Sequence, residues 1–296
     1  MIFIRVKRYS FGCTVFCFPV YSKSPASAVK ADIPAHAMLD GQTAEVDKPF
    51  EVNGYKIMFP GDTSAPGYLV YNCRCRIVAA FDDMPKGKRR AEDPVTGKSE
   101  IIPDMSYQEW AAKKRAENAE VWDTYMKKGR NRSADTRQWN EYKSVLGNKI
   151  PNTIDKFQNL KYTEPEKWEL MKLDKRRRDT LIEHPELALP GEKKTIATEK
   201  FTGYLFNPNS KNGWAKGKAL SSRLGYAIDN YESLRSEILA GAKRYPAVRK
   251  RENDHGILYE QKMVLYGKTG NPANVIVGWI YKDGKAHMTT LYITEV

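Results

Sequence analysis

Cysteine is missing from the last three quarters of the chain. The four present, Cys13, Cys17, Cys73 and Cys75, all precede residue 76 of 296, so a disulfide scaffold is excluded for most of the protein. A zinc site assembled from Cys13-x3-Cys17 and Cys73-x-Cys75 would need one pair closer than the usual spacing of paired ligands. No metal or other cofactor is expected. No run of roughly 20 apolar residues occurs, the length a membrane-spanning helix requires, and no membrane partner is expected. The GxxxxGK[ST] loop, HExxH, GxSxG and the dinucleotide-binding glycine fingerprint are all missing, so enzymes built on those motifs find no support. Acidic residues are short as well: 36 Asp and Glu stand against 49 Lys and Arg, a formal net charge of +13.

That excess, with a sequence pI near 9.4, favours a polyanionic partner such as nucleic acid. A solvated basic surface without a partner is the plainer reading of the same number. The length suits about two domains. Hydrophobic residues at 41% supply a packed core, and 29% charged residues require a large solvated surface.

Along the chain the pattern predicts an α+β protein: a small β-rich N-terminal part, a helical middle, and a C-terminal domain of two helices plus a three-stranded antiparallel sheet. Residues 1–30 form an atypical start, basic, then apolar, then small, in the order of a secretory signal; they are read as signal-like or non-native. Residues 31–84 read as strand and loop, with a type I′ turn at Asn53-Gly54 and a β-prone run "YLVYNCRCRIVAAF". Residues 85–105 look like a polar linker or an exposed excursion. From residue 106 to 198 the period is helical. Ser106 and Glu109 have capping-box spacing, as do Thr163 and Glu166, with Pro165 tolerated in a first turn. The basic run Lys175–Arg178 reads as a solvated helix face or, more sharply, as an anion-binding stripe containing Arg176 and Arg177. The last domain, 199–296, should hold a helix starting at about Lys216, a second ending near Tyr245, and three strands with a hairpin at Asp283-Gly284. Trp279 is assigned to its core.

Four pieces occur in order in the first part: "AHAMLDGQ", "PFEVNG", "FPGD" and "NCRCR". This succession, residues 34 to 78, resembles the end of the phage Mu F-like minor head (head morphogenesis) protein domain. The resemblance implies a structural signature made of His36, Asp40, Gly41, Pro60, Gly61, Asp62, Asn72, Cys73 and Cys75, in which the thiols act as buried small hydrophobes. Metal binding and redox chemistry stay open for those cysteines, and a base–carboxylate pair stays open for His36 and Asp40. The family's helical first half has no counterpart in residues 1–30. The series "MSYQEW", "QWNEYKSVLG", "FQNLKY", "EKW" looks like the helical extensions of such proteins in phages and prophages of Gram-positive bacteria.

The stretch from "GYLFNPNSKNGWAKGKALSSRLGYAI" to "NVIVGWIYKDGKAHMTTLYI" resembles an uncharacterised domain family at polymorphic-toxin C-termini. Helices followed by an antiparallel sheet also describe the barnase, EndoU and colicin-like ribonucleases, a likeness of architecture alone. Metal-independent RNA cleavage needs a base, an acid and cations for the phosphorane charge. Candidates are His255, His287 and Lys218 for catalysis, and Lys211, Lys216, Trp214, Arg176 and Arg177 for nucleic-acid binding. Thr289 and Thr290 could bond phosphate, and Tyr259 could stack a base. The resemblances imply two functions. One is a virion-associated head protein with a structural or binding role, its partners being portal or head proteins and nucleic acid. The other is a toxin whose C-terminal domain cleaves RNA and is held in check by an immunity protein. The expected location is the virion or the bacterial cytoplasm, with secretion less favoured.

Overall fold

The computed structural model describes residues 3–6, 15–16, 38–44, 47–70, 76–79, 87–93 and 97–295. His36, Asn72 and all four cysteines lie outside the described residues, and with them the zinc, thiol and His36–Asp40 readings. The chain divides into two compact units, Met1–Arg132 and Ser133–Val296. Among the described residues no helix is long and apolar enough to cross a membrane.

The fold is α+β. In the first unit, β1 (Phe3–Val6), β2 (Val15–Phe16), β3 (Gln42–Thr43) and β6 (Arg76–Ala79) form a sheet in the order β2-β6-β1-β3, and β4 (Phe50–Val52) pairs antiparallel with β5 (Tyr55–Ile57). The turn between β4 and β5 has positive φ at both Asn53 (51°) and Gly54 (80°), as a type I′ turn requires. Tyr68-Leu69-Val70, expected as strand, instead belong to a one-turn helix, α1 (Gly67–Val70). Pro66 presets φ at its start and its carbonyl accepts the Leu69 N–H, while Leu69 is buried among Leu39, Phe50, Val52 and Ile57.

The described residues of the 34–78 signature hold turns together. The Asp62 carboxylate accepts the Met58 and Ser64 N–H groups at 2.9 Å and the Ser64 hydroxyl at 2.7 Å. Those bonds hold its pKa below the ordinary carboxylate value, the Met58 N–H contributing most. Pro60 and Gly61 (φ +82°) complete the turn. Buried Asp40 accepts the Tyr107 N–H, placing a carboxylate at a helix N-terminus, where the dipole favours negative charge. Gly41 lies against Ser106.

The stretch 85–105 is more ordered than a linker: β7 (Lys88–Glu92) and β8 (Ser99–Pro103) form a hairpin. The Ser106–Glu109 capping box is complete and opens α2 (Tyr107–Glu117). The helical pattern breaks at Asn118, whose side chain accepts the Val121 N–H and starts α3 (Ala119–Leu146). Trp110 and Trp122 then meet edge to face at 5.6 Å.

In the second unit, α4 (Ile154–Thr163) is capped by Thr153. Thr163 ends α4 rather than opening a helix: its hydroxyl bonds the Asn159 carbonyl, and α5 (Pro165–Glu183) begins at Glu164 without a side-chain cap. Then come β9 (Lys193–Thr195), a π-helical turn at Lys200–Leu205, α6 (Lys211–Leu224), α7 (Tyr231–Gly241), and the strands β10 (Ala247–Asn253), β11 (Gly256–Leu265), β12 (Ala273–Lys282) and β13 (Lys285–Ile293). The sheet has five strands rather than three, in the order β10-β11-β12-β13-β9. β10 escaped prediction because only Ala247 of its seven residues is buried. β9 escaped because three residues, pairing in parallel with a strand 90 residues away, leave no periodic trace. The hairpin at Asp283-Gly284 has the expected positive φ at both positions. Val275, Val277 and Trp279 bury fully with Leu220, Leu224, Leu234 and Ile238 in the core of this unit.

The basic run on α5 is neither a solvated face nor a stripe. Four consecutive helical residues spread around the whole circumference. Lys175 pairs with Asp179 and Glu141, exposed Arg176 points outward, Arg177 donates to Asn274, and Arg178 is buried against Asp174. Burial pushes the Arg177 guanidinium below its ordinary pKa. Asp174 is fully buried and accepts hydrogen bonds from Arg178 Nε, Tyr245 Oη and Tyr266 Oη at 2.6–2.7 Å.

Removing one partner of a buried ion pair strands the other charge, at a cost of about 3–5 kcal/mol. Asp174→Ala should lower the urea-unfolding free energy of the second unit by that amount, and replacing Arg178 by Met as well should recover much of it. Burial, reinforced by Asp174, raises both phenol pKa values. Their contribution is therefore complete below the unfolded tyrosine value, about 10, and declines as pH rises above it. Tyr245→Phe with Tyr266→Phe should flatten that alkaline loss in a pH series of melting curves.

Candidate functional site

Several of the candidate residues meet along β13 of the C-terminal sheet. Val275, Val277 and Trp279 of β12 face the helices, so Ile276, Gly278 and Ile280 face the other way. Opposite those three stand Tyr292, Thr290 and His287, which share that second face. The register shifts between Gly278 and Trp279, with Thr289 as the extra residue; such bulges re-aim side chains and are over-represented at sheet edges and beside active sites. His287 and Thr290 thus sit two β12 positions apart, roughly 7 Å.

Each is held by an element arriving from the N-terminal side. Thr195 of β9 lies beside exposed His287, with Oγ1 2.6 Å from Nδ1. When Nδ1–H donates to the threonine oxygen, Nε2 presents its lone pair outward. Half-buried Lys216 of α6 donates from Nζ to Thr290 Oγ1 at 3.1 Å and to Tyr204 Oη at 3.3 Å. The same ammonium lies 5.6 and 5.5 Å from the ring centres of Tyr204 and Tyr292, within cation–π range. Lys200 Nζ donates to the Thr289 carbonyl at 3.1 Å, tying the π turn to the bulge.

Lys216 reaches Thr290 because α6 and the π turn approach closely. A Cβ on Gly213 would sit 2.1 Å from the Tyr204 carbonyl oxygen, and one on Gly217 would sit 1.8 Å from that of Leu205. Only glycine admits such contacts with backbone. The π turn itself closes with Phe206 N–H on the Phe201 carbonyl at 2.9 Å, a rare geometry concentrated at functional sites.

Around His287 the charge is positive. Lys282 faces Lys285 across the hairpin, and Lys285 faces Lys193 of β9; all three are exposed. Like charges directly opposite one another destabilise a sheet, and an anion lying on the rim would relieve them.

Of the residues singled out in the sequence, His287, Lys216 and Thr290 come together here. Lys218 does not join them: helix positions two apart face different directions, and Lys218 is exposed with its ammonium 5.8 Å from the Trp214 ring centre. Lys211 is the exposed first residue of α6. His255 is exposed in the β10–β11 turn, where its N–H donates to Asn253 Oδ1 at 3.0 Å. Tyr259 packs on the core. Arg176 and Arg177 belong to α5, as described above. Thr195, Lys193, Lys200, Tyr204 and Tyr292 went unnoticed in the sequence. An expected partner strand beside "KAHMTTLYI" would have directed attention upstream to "EKKTIATEKF". Among the described residues no three His, Cys, Asp or Glu side chains cluster as metal ligands would.

Residues 188–295 match the model of a family described as "Domain of unknown function (DUF6883)". No curated protein and no solved structure matches the chain. The matched span begins before β9 and so takes in the strand that supports His287. Within it, 17 Lys and Arg face ten Asp and Glu.

Gly217→Ala should push α6 off the π turn. The expected cost is about 1–3 kcal/mol, as for other overpacked positions, read as a lower melting temperature. Ala215→Ser, at an exposed position of the same helix, should leave it within about 0.5 kcal/mol.

Proposed function

We propose that residues 188–295 form an effector domain that binds and cleaves RNA, carried on a Mu F-like head protein segment at residues 31–84. The observation that carries this reading is the pairing on one sheet face of a Thr195-oriented His287 with the Lys216–Thr290–Tyr204 cluster. A phosphodiester bridging the two would have its phosphoryl oxygens on the Lys216 ammonium and Thr290 hydroxyl, where phosphorane charge develops. His287 Nε2 takes the 2′-hydroxyl proton as the 2′ oxygen bonds to phosphorus. The bond from phosphorus to the 5′ oxygen breaks. Tyr204, whose oxygen accepts from Lys216, has its hydroxyl proton free to pass to that leaving oxygen. The products are a 2′,3′-cyclic phosphate and a 5′-hydroxyl, and His287 and Tyr204 recover their protonation states through water.

A second reading rests on the rim of Lys193, Lys282 and Lys285. It is a sequence-blind contact with packaged nucleic acid in the virion, alongside portal or head proteins, with strong salt dependence. The cleaving reading adds an immunity protein that covers β13 in the bacterial cytoplasm.

The full-length chain is incubated with single-stranded RNA and with DNA of the same sequence, and termini are identified by mass spectrometry. Cleavage of RNA alone, with cyclic phosphate ends, is expected. His287→Ala should reduce it by about 10²–10⁴-fold and Lys216→Ala by about 10²–10³-fold, while His255→Ala leaves it unchanged. Intact RNA, with equal salt-dependent binding of both polymers, would move the assignment to the second reading.

A further inference from the structure

A second polar site lies at the other end of the sheet. A cavity of about 330 Å³ opens between α7, the end of β11 and the neighbouring helices, the size of a small-molecule pocket. Its position along β12, near Asn274, is six residues from the Ile280 that faces His287, or roughly 20 Å. It is thus distinct from the β13 site and independent of the reading given to that site.

Four cations line it: Lys149, Arg178, Arg244 and Lys268. Two are already matched. Lys149 lies 3.3 Å from Glu237, whose carboxylate also accepts the Tyr226 hydroxyl and the Tyr266 N–H. Arg178 uses Nε and one terminal nitrogen on Asp174 and Tyr245. Arg178 is 7% exposed, and its other terminal nitrogen makes no hydrogen bond among the described residues. A guanidinium at a cavity wall with one uncommitted nitrogen is a ready anion donor. Arg244 and Lys268, both exposed, form no side-chain hydrogen bond or ion pair among the described residues, so the cavity keeps an excess of positive charge. The rest of the wall includes exposed Ala240 beside nearly buried Tyr226, Val264 and Leu265, a narrow apolar strip on which part of an organic group can rest.

We infer that this cavity binds a small phosphomonoester, its phosphate held by Arg178, Arg244 and Lys268 and its organic body on the apolar wall. Glu237 does not oppose this, since Lys149 neutralises it. A phosphate dianion matches both the charge excess and the planar donor set of two arginines.

The test uses the full chain, followed by thermal unfolding and calorimetric titration with inorganic phosphate, adenosine monophosphate and adenosine at up to about 5 mM. Inorganic phosphate and the nucleotide should raise the melting temperature, the nucleotide binding about tenfold more tightly, and adenosine should not. Arg244→Ala and Lys268→Ala should each weaken nucleotide binding about tenfold or more. Lys243→Ala, which removes the same charge from an exposed neighbour, should change it less than about twofold. All three positions are exposed, so the variants should keep the wild-type circular dichroism spectrum. The assignment is overturned if neither phosphate compound shifts the melting curve or if adenosine binds as well as its phosphate. Equal affinities for inorganic phosphate and the nucleotide, or equal weakening by Lys243→Ala, would overturn it too.

Discussion

One carboxylate organises the second unit. Asp174 sits on α5 with no exposure to solvent, and its oxygens are shared among a guanidinium from its own helix and phenols just before β10 and just after β11. A charge so placed survives only because each lone pair finds a donor. The helix that carries it is thereby fixed against the sheet in one rotational setting. That setting turns Arg177 toward Asn274 and Arg178 toward the cavity, so the basic run serves packing first.

The β13 site is built on a different constraint, the close approach of backbone to backbone. Gly213 and Gly217 let α6 settle on the carbonyls of the π turn, and Lys216, between them in sequence, is carried under the aromatic rings of Tyr204 and Tyr292. The bulge at Thr289 gives Lys200 a carbonyl to hold. Flexible lysines are thus fixed by neighbours on rigid elements, so their ammonium groups hold fixed positions on the sheet.

Much of this was legible in the sequence where the cause is local. Asn53-Gly54, Asp283-Gly284, the Ser106–Glu109 box and buried Trp279 each depend on residues within one turn or one strand. What escaped depends on distance. β9 is a strand only because β13 lies beside it, and the candidate site lost Thr195 and Lys193 with it. β10 has too few buried side chains to alternate. Arg178 looks like a surface residue until Asp174, one helical turn earlier, is known to be buried. The π turn requires Gly213 and Gly217 to be read as contact surfaces of a helix, whereas in sequence they resemble breaks in one. The resemblance to head proteins rests on residues 34 to 78, and of its signature the structure accounts for Asp40, Gly41 and the Pro60-Gly61-Asp62 turn, all as props of local geometry.

The two edges of the five-stranded sheet differ in a way that bears on solution behaviour. An open strand edge is a template for a neighbouring chain, and proteins suppress it with charge, bulges or a short covering strand. On one side β9 caps β13 over only three residues. On the other, β10 sets Arg249, Lys250 and Arg251 side by side, all exposed, and its register shifts between Arg249 and Arg251. A second sheet approaching that edge would meet cations on a twisted strand. The cations of β10 therefore act as a guard against self-association and amyloid-like stacking, and they hold that edge open at high protein concentration.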